Sequence, residues 1–254
     1  MNKVLFYPDP PVQMTGHSLS KSIRYFQILG YKLTNDISSD WIIGVHWNYN
    51  DVNKIPEIFL DDNRPILNMR LTDVTKTNVD KVFTTVFGYS SLANTNSFGY
   101  CVRKTDRQSA HDGKIIRMPC KKEPGYVYQL LLDNRIAINM ICDLRVPIFL
   151  GEIPLVFLKA KTIEGTFENT LSKKKKYWVD KPENYLSVQD IHNIQQFCKT
   201  IGLDIGELDT IRDNSTGNLY IIDVNNIPGG NVFDYLPNGK EVENDLAIFL
   251  QSLL

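Results

Sequence analysis

Residues Ile201–Gly230 read IGLDIGELDTIRDNSTGNLYIIDVNNIPGG. Asp209 precedes a turn-forming stretch, Asn214–Asn218, and the apolar strand Leu219–Ile222 follows, ending in Asp223-Val224-Asn225. This order predicts two paired strands with two carboxylates and one amide near their ends. Asp223 and Asn225 are two residues apart, so they point to the same face of their strand. Oxygen donors converging without Cys or His suit Mg²⁺. Bound by few carboxylates, Mg²⁺ takes the rest of its shell from water and nucleotide phosphates. The expected metal ligands are therefore Asp209, Asp223 and Asn225, with Mn²⁺ as an alternative ion.

The rest of the chain sets the frame. Its 254 residues are enough for one large domain or two small ones. A hydrophobic share of 43% and a charged share of 22% fit an ordinary globular protein rather than a disordered or fibrous one. A formal charge of -1 gives no whole-chain reason to expect nucleic acid. Cys101, Cys120, Cys142 and Cys198 form no CxxC pair, so free thiols in a reducing cytoplasm are expected and structural zinc is not. No run approaches a membrane span, and Met1–Tyr7 is too short for a signal-peptide core.

Val4–Tyr7 reads as a buried strand, Ser18–Leu29 as a helix ending at Gly30, and Trp41–Val45 as a second strand. That pattern predicts a small α/β domain over residues 1–72. A helix is expected over Asp73–Phe87, stopped by Gly88. Strands are expected at Gly99–Lys104, Lys114–Pro119 and Tyr126–Leu132, and a hairpin at Arg145–Leu150 and Ile153–Ala160 across Gly151-Glu152. Ser187–Ile201 carries the best helix signals: Ser187 as N-cap, Asp190 at the capping-box position, and Gly202 beyond its end. Lys240–Leu253 reads as a closing amphipathic helix.

The segment with Asp209, Asp223, Asn225, Pro228 and Gly229 resembles the metal-binding end of the ATP-grasp ligases. The nearest likeness is to the carboxylate–amine ligase branch, which includes ribosomal-protein glutamate ligases. The family more often has Glu where this chain has Asp223. The resemblance extends in order from about Thr72 to Gly230. It implies an α+β ATP-grasp fold over 73–254, with a nucleotide-clamping lobe at about 88–132 and a metal-binding lobe at about 133–254, preceded by the α/β domain.

The resemblance also implies site residues. Lys104 is the expected α/β-phosphate contact, with Lys76 as a second lysine and Lys81 as its alternate; a compact charge on a long stem suits that role. Thr105–Gly113 stands where relatives have a glycine-rich phosphate loop. It offers only Gly113, with Ser109, Arg107 and His111 as donors, and His111 can assist proton transfer. Gln129, Leu130 and Leu131 correspond to the hinge whose backbone pairs with adenine. Asp143-Leu144-Arg145-Val146 matches Asp-x-Arg-Val, and Arg145 is expected to hold the γ-phosphate or acyl phosphate through a bidentate fork. Lys159 or Lys161 corresponds to a further phosphate contact. Asn169 follows Phe167 as in the glutamate ligases. Glu207 stands where some dipeptide-forming relatives have Arg. Lys173–Lys176 reads as a solvated basic loop, with docking of an anionic substrate as its alternative.

The expected reaction is ATP-dependent amide formation through an acyl phosphate, with release of ADP and phosphate. Catalytic roles fall to Arg145, Lys159, Asn225 and His111. The substrates are small-molecule, glycan-linked or peptide-linked carboxylates and amines, and homo-oligomerisation stays open. The alternatives are a phosphotransferase acting on a hydroxyl and a nucleotide-binding module without turnover.

Overall fold

The computed structural model describes residues 2–9, 20–163, 175–229 and 232–254. Strands β1 (Lys3–Pro8), β2 (Lys32–Thr34), β3 (Trp41–Trp47) and β4 (Ile66–Leu67) form a parallel sheet in the order β2-β1-β3-β4. Helix α1 (Lys21–Ile28) crosses between β1 and β2, and the one-turn helix α2 (Glu57–Leu60) between β3 and β4. This is the α/β arrangement expected of the N-terminal third. The expected helix Ser18–Leu29 begins in the structure at Lys21; residues 18 and 19 lie outside the described part, as does His17.

Helix α3 (Lys76–Phe87) follows. It starts three residues later than expected, because Asp73 accepts hydrogen bonds from the Thr75 amide and hydroxyl, and Thr75 in turn caps Asn78. That local turn occupies the backbone that would otherwise open the helix. Strands β5 (Gly99–Thr105), β6 (Lys114–Met118) and β7 (Tyr126–Leu130) make a small antiparallel sheet, order β6-β5-β7. Leu131 and Leu132 leave that ladder, and Pro119, which has no amide proton, lies beyond β6.

The largest sheet has six strands. Strand β9 (Met140–Phe149) pairs with β10 (Val156–Thr162) and β12 (Ile205–Arg212); β11 (Lys176–Asp180) and β13 (Leu219–Asn225) lie outside them, and β8 (Arg135–Ala137) pairs with the start of β9. The expected hairpin is present, with Leu150 and Gly151 both at positive φ in its turn, but β9 begins at Met140 rather than Arg145. Helix α4 (Val188–Ile201) has its full capping box, Ser187 with Asp190, and ends on Gly202 at φ 89°. Helix α5 (Gly239–Leu253) closes the described chain.

Strand alternation divides the large sheet into two faces. Leu144, Val146 and Ile148 of β9, Val156 and Leu158 of β10, and Leu208 of β12 pack with Val79 and Phe83 of α3 and Ile194 and Phe197 of α4. The opposite face is apolar at one end, where Phe149, Phe157 and Ile205 join α1, α5 and the parallel sheet in a second core. At its other end the same alternation presents Asp143 and Arg145 of β9, Lys159 and Lys161 of β10, and Asp209 of β12.

Candidate active site

That charged end faces the small sheet across a cleft of about 170 Å³. From the small sheet come Val102, Lys104 and Gln129, and from the first turn of α3 comes Lys76. Ser109, His111 and Gly113 come from the loop joining β5 to β6, and Asp223 from β13. Thirteen expected site residues therefore share one cleft: Lys76, Lys104, Ser109, His111, Gly113, Gln129, Leu130, Leu131, Asp143, Arg145, Lys159, Asp209 and Asp223; the alternate Lys161 lines it too.

Asn225 is the exception. It lies opposite Glu207 in the β12–β13 ladder and is not part of the cleft wall, although its Nδ2 is buried without a hydrogen-bond partner. Lys81 is exposed on α3, so Lys76 is the lysine at the site. His46 is buried against the Asn68 carbonyl and His192 is exposed. Phe167, Asn169, Lys173 and Lys174 lie outside the described residues, while Lys176 opens β11.

Asp209 and Asp223 are partners across the β12–β13 ladder. The Arg145 guanidinium places Nε 3.1 Å from Asp209 Oδ1, and Lys76 Nζ stands 3.7 Å from Asp223 Oδ2. Burial pushes the Asp223 pKa up, and the neighbouring Asp209 adds to that shift against the opposing pull of Lys76. Burial works in the same direction on Asp209, yet Arg145, Lys159 and Lys161 hold its pKa below the ordinary value. Asp209 in turn raises that of Arg145.

The lysines are loaded in the opposite sense. Burial brings Lys104 down to about 8 and Lys159 down to about 8, the latter helped by Arg145. Lys104 donates to Gln129 Oε1 at 2.8 Å, and Gln129 Nε2 reaches the Ile222 carbonyl at 3.4 Å. Lys161 donates to Asp143 at 2.8 Å, and Asn134 holds the other oxygen of that carboxylate at 2.8 Å. Burial and Lys159 lower the His111 pKa, favouring the neutral ring at neutral pH.

The β5–β6 loop is tied across the cleft mouth. Lys76 donates to the Arg107 carbonyl, and Thr77 donates to Asp106. Gln108 Nε2 donates to the Val224 carbonyl at 2.6 Å, and Arg107 pairs with Asp51. Ser109 and His111 both adopt positive φ, at 52° and 51°, a conformation more natural to glycine. The loop thus folds over the cleft without the glycines of the usual pattern.

A divalent cation suits this donor set. Two carboxylates are held side by side across the ladder; Asp209 Oδ1 makes no hydrogen bond, its one close cation being the Arg145 guanidinium. Among the described residues no three His, Cys, Asp or Glu side chains gather to hold a metal alone. A Mg²⁺ ion on two carboxylates would take the rest of its shell from water and phosphates.

Sequence reasoning passed over Asn134, Ile141, Ile211 and Ile222, which also line the cleft. For Ile141 and Ile211 the signal was available: each stands two residues from an expected site carboxylate and so shares its face. It also passed over Lys21, whose ammonium is buried against Glu207.

Comparison with solved structures agrees with this geometry. The D-alanine–D-alanine ligase of Bacillus anthracis, complexed with ATP, superposes with a TM-score of 0.56 over 98% of this chain and 94% of that one, at 10% identity. The chain has the ATP-grasp fold. A Chryseobacterium gregarium RiPP-associated ATP-grasp ligase, in complex with ADP and a leader and core peptide, matches with a TM-score of 0.55 at 12% identity, over 100% of this chain and 98% of that one. The ATP-grasp ligase PsnB, complexed with a minimal precursor, matches with a TM-score of 0.50 at 14% identity. That match covers 77% of this chain and 66% of PsnB, just under two thirds of its length. No family model matches the chain, and no curated protein matches it. In ATP-grasp terms, the cleft lies between the two sheets that give the fold its grip. Among the described residues no helix is long and apolar enough to cross a membrane.

Proposed function

We propose that the chain is an ATP-dependent carboxylate–amine ligase that forms an amide through an acyl phosphate. The observation that carries this reading is the Asp209–Asp223 pair, set in a single cleft with five cations: Lys76, Lys104, Arg145, Lys159 and Lys161. Such a cleft has little use for a neutral ligand. It balances a triphosphate with its divalent ion.

Val102, Ile141 and Leu131 offer an apolar seat for the base. The Leu130 amide already donates to the Ser91 carbonyl at 2.8 Å, so the hinge donor to adenine falls to Leu131 or Leu132. Lys104 and Lys76 neutralise the inner phosphates. Arg145, Lys159 and His111 face the transferring group. Asp209 and Asp223 would hold a Mg²⁺ ion, which when bound would supply Lewis-acid neutralisation of the phosphate oxygens.

The substrate carboxylate attacks the γ-phosphorus, and the bond to the ADP oxygen breaks. An amine then adds to the acyl carbon, loses a proton, and displaces phosphate. The β5–β6 loop excludes water from the acyl phosphate. Neutral His111 is placed to accept the amine proton.

The acceptor belongs beyond Asn225, where the start of α1, the residues just after β3 and Asn226–Pro228 meet. There the Lys21 amide donates to the Pro228 carbonyl and Asn226 reaches the Asn48 carbonyl, while Ser20 Oγ, Trp47 Nε1 and Asn226 Oδ1 are buried without partners. Such polar groups at the carboxyl ends of a parallel sheet suit a ligand. A peptide-linked carboxylate is the favoured class, because ligases of this fold are known in complex with precursor peptides. Four free thiols fit a reducing cytoplasm.

The test incubates the protein with Mg-ATP and pooled carboxylates and amines, following ADP and product mass. ADP formation that requires both pools supports the ligase; ADP formed with a hydroxyl acceptor alone points to a phosphotransferase. Asp223→Ala is expected to abolish turnover in a folded protein. Unchanged ADP formation by that variant would remove the metal assignment.

A further inference from the structure

Lys21 is fully buried, yet the proposed reaction does not use it. Its ammonium pairs with Glu207 Oε1 and lies 5.3 Å from the centroid of the Phe157 ring. Glu207 precedes Asp209 by two residues on β12, so the two carboxylates project from one face. Arg145, opposite Asp209 on β9, reaches both: Nε is 3.1 Å from Asp209 Oδ1 and Nη1 is 3.6 Å from Glu207 Oε2.

One guanidinium therefore stands between two carboxylates of unequal depth. The Asp209 side chain is 23% exposed and that of Glu207 only 2%. Attraction strengthens as the surroundings lose water, so an uncompensated Glu207 would draw Arg145 inward, away from the cleft. Glu207 Oε2 has no hydrogen-bond partner of its own to resist this. Lys21 supplies the second cation, and the four groups balance.

We infer that Lys21 is a positioning residue: by neutralising Glu207 from inside the protein, it leaves Arg145 at the cleft wall for the γ-phosphate. The inference rests on the ATP-site reading and adds to it a residue from the N-terminal sheet's helix, outside the cleft. Removing Lys21 leaves the buried Glu207 carboxylate without its inner partner, and it captures Arg145. That capture changes how the site meets a third phosphate.

The experiment measures calorimetric affinities of the full chain for Mg-ADP and Mg-AMPPNP. Wild type is expected to prefer Mg-AMPPNP by roughly tenfold or more, the worth of a charge-assisted fork. Lys21→Met is expected to lose that preference while its Mg-ADP affinity stays within about threefold. Lys21→Met/Glu207→Gln, which leaves no buried charge, is expected to restore it. Restoration also separates positioning from general structural damage, and if Lys21→Met does not fold, the double variant alone decides. A folded double variant without the preference overturns the inference, as does a folded Lys21→Met that keeps it. Wild type that binds neither nucleotide removes the ATP-site reading, and this inference with it.

Discussion

Asp223 faces Asp209 across a ladder, and burial together with that neighbour raises its pKa above 3.8. A carboxyl group whose pKa is higher folded than unfolded binds its proton more tightly in the native state. Its contribution to stability is then complete below the unfolded value and is lost as pH rises through the folded one. At neutral pH ionised Asp223 works against folding, a cost that a bound cation would relieve. Asp223→Asn is therefore expected to melt at a higher temperature than wild type in metal-free neutral buffer. The gap should narrow as pH falls toward the ordinary carboxylate range. Thermal melts across that range check it; an equal or lower melting temperature at neutral pH contradicts the burial argument. Lys104 and Lys159 give the complementary case, each with its pKa brought down to about 8 by burial. Below that value both are charged and ready for phosphate. Above it they are neutral, and a triphosphate must draw protons in as it binds. Nucleotide affinity is expected to fall as pH rises past about 8, and the heat of binding there to depend on the ionisation enthalpy of the buffer. Buffer-independent heats would show that neither lysine meets the phosphates.

At the scale of elements, the metal pair depends on how closely β13 approaches β12. A Cβ built on Gly206 would lie 2.7 Å from the Asn225 carbonyl oxygen and 2.8 Å from Leu203 Cδ1. Backbone cannot yield as a flexible side chain can, so glycine is required here by proximity. Gly206→Ala is expected to push the end of β13 outward and to weaken Mg²⁺-dependent nucleotide binding by roughly tenfold, about 1.4 kcal/mol. Titration of Mg²⁺ at fixed nucleotide measures this, and an unaltered titration would mean the strand end does not carry the ion. The β12–β13 pairing was legible in the sequence because its signals are local: an acid, a turn, an apolar run, an acid-x-Asn. The same holds for α4, whose capping box spans four residues, from Ser187 to Asp190. Strand β2, with three residues, and the edge strand β11 were not legible, since short edge segments owe their shape to a neighbouring strand. Lys21 was least legible. Its partner Glu207 is 186 residues away, and a lysine opening a helix reads as solvated until the fold closes over it.

The whole molecule divides unevenly in how firmly it is built. The large sheet has α3 and α4 on one face, and on the other a core shared with the parallel sheet, α1 and α5. The small sheet buries less: among the described residues its cluster is Ala93, Cys101, Met118 and Tyr128, with Ile116, Cys120 and Leu130 partly buried beside it, and Val102 and Val127 buried on the same strands. Local stability follows the apolar surface a unit buries, so β5–β7 should open more readily than β9, β10 or β12 in the free protein. The proposed nucleotide site has walls from both sheets, with Lys104 and Gln129 on one side and Arg145 and Asp209 on the other. A ligand in that cleft fastens the weaker unit to the stronger one, and at 100 times its Kd it adds about 2.7 kcal/mol against any opening that releases it. Amides of β5–β7 are therefore expected to gain far more protection from hydrogen exchange on adding Mg-AMPPNP than those of β9 and β12, which global unfolding already limits. Exchange read by mass spectrometry with and without nucleotide checks this. Equal gains in both sheets would mean that the two lobes already open together, and that the cleft is not where they are joined.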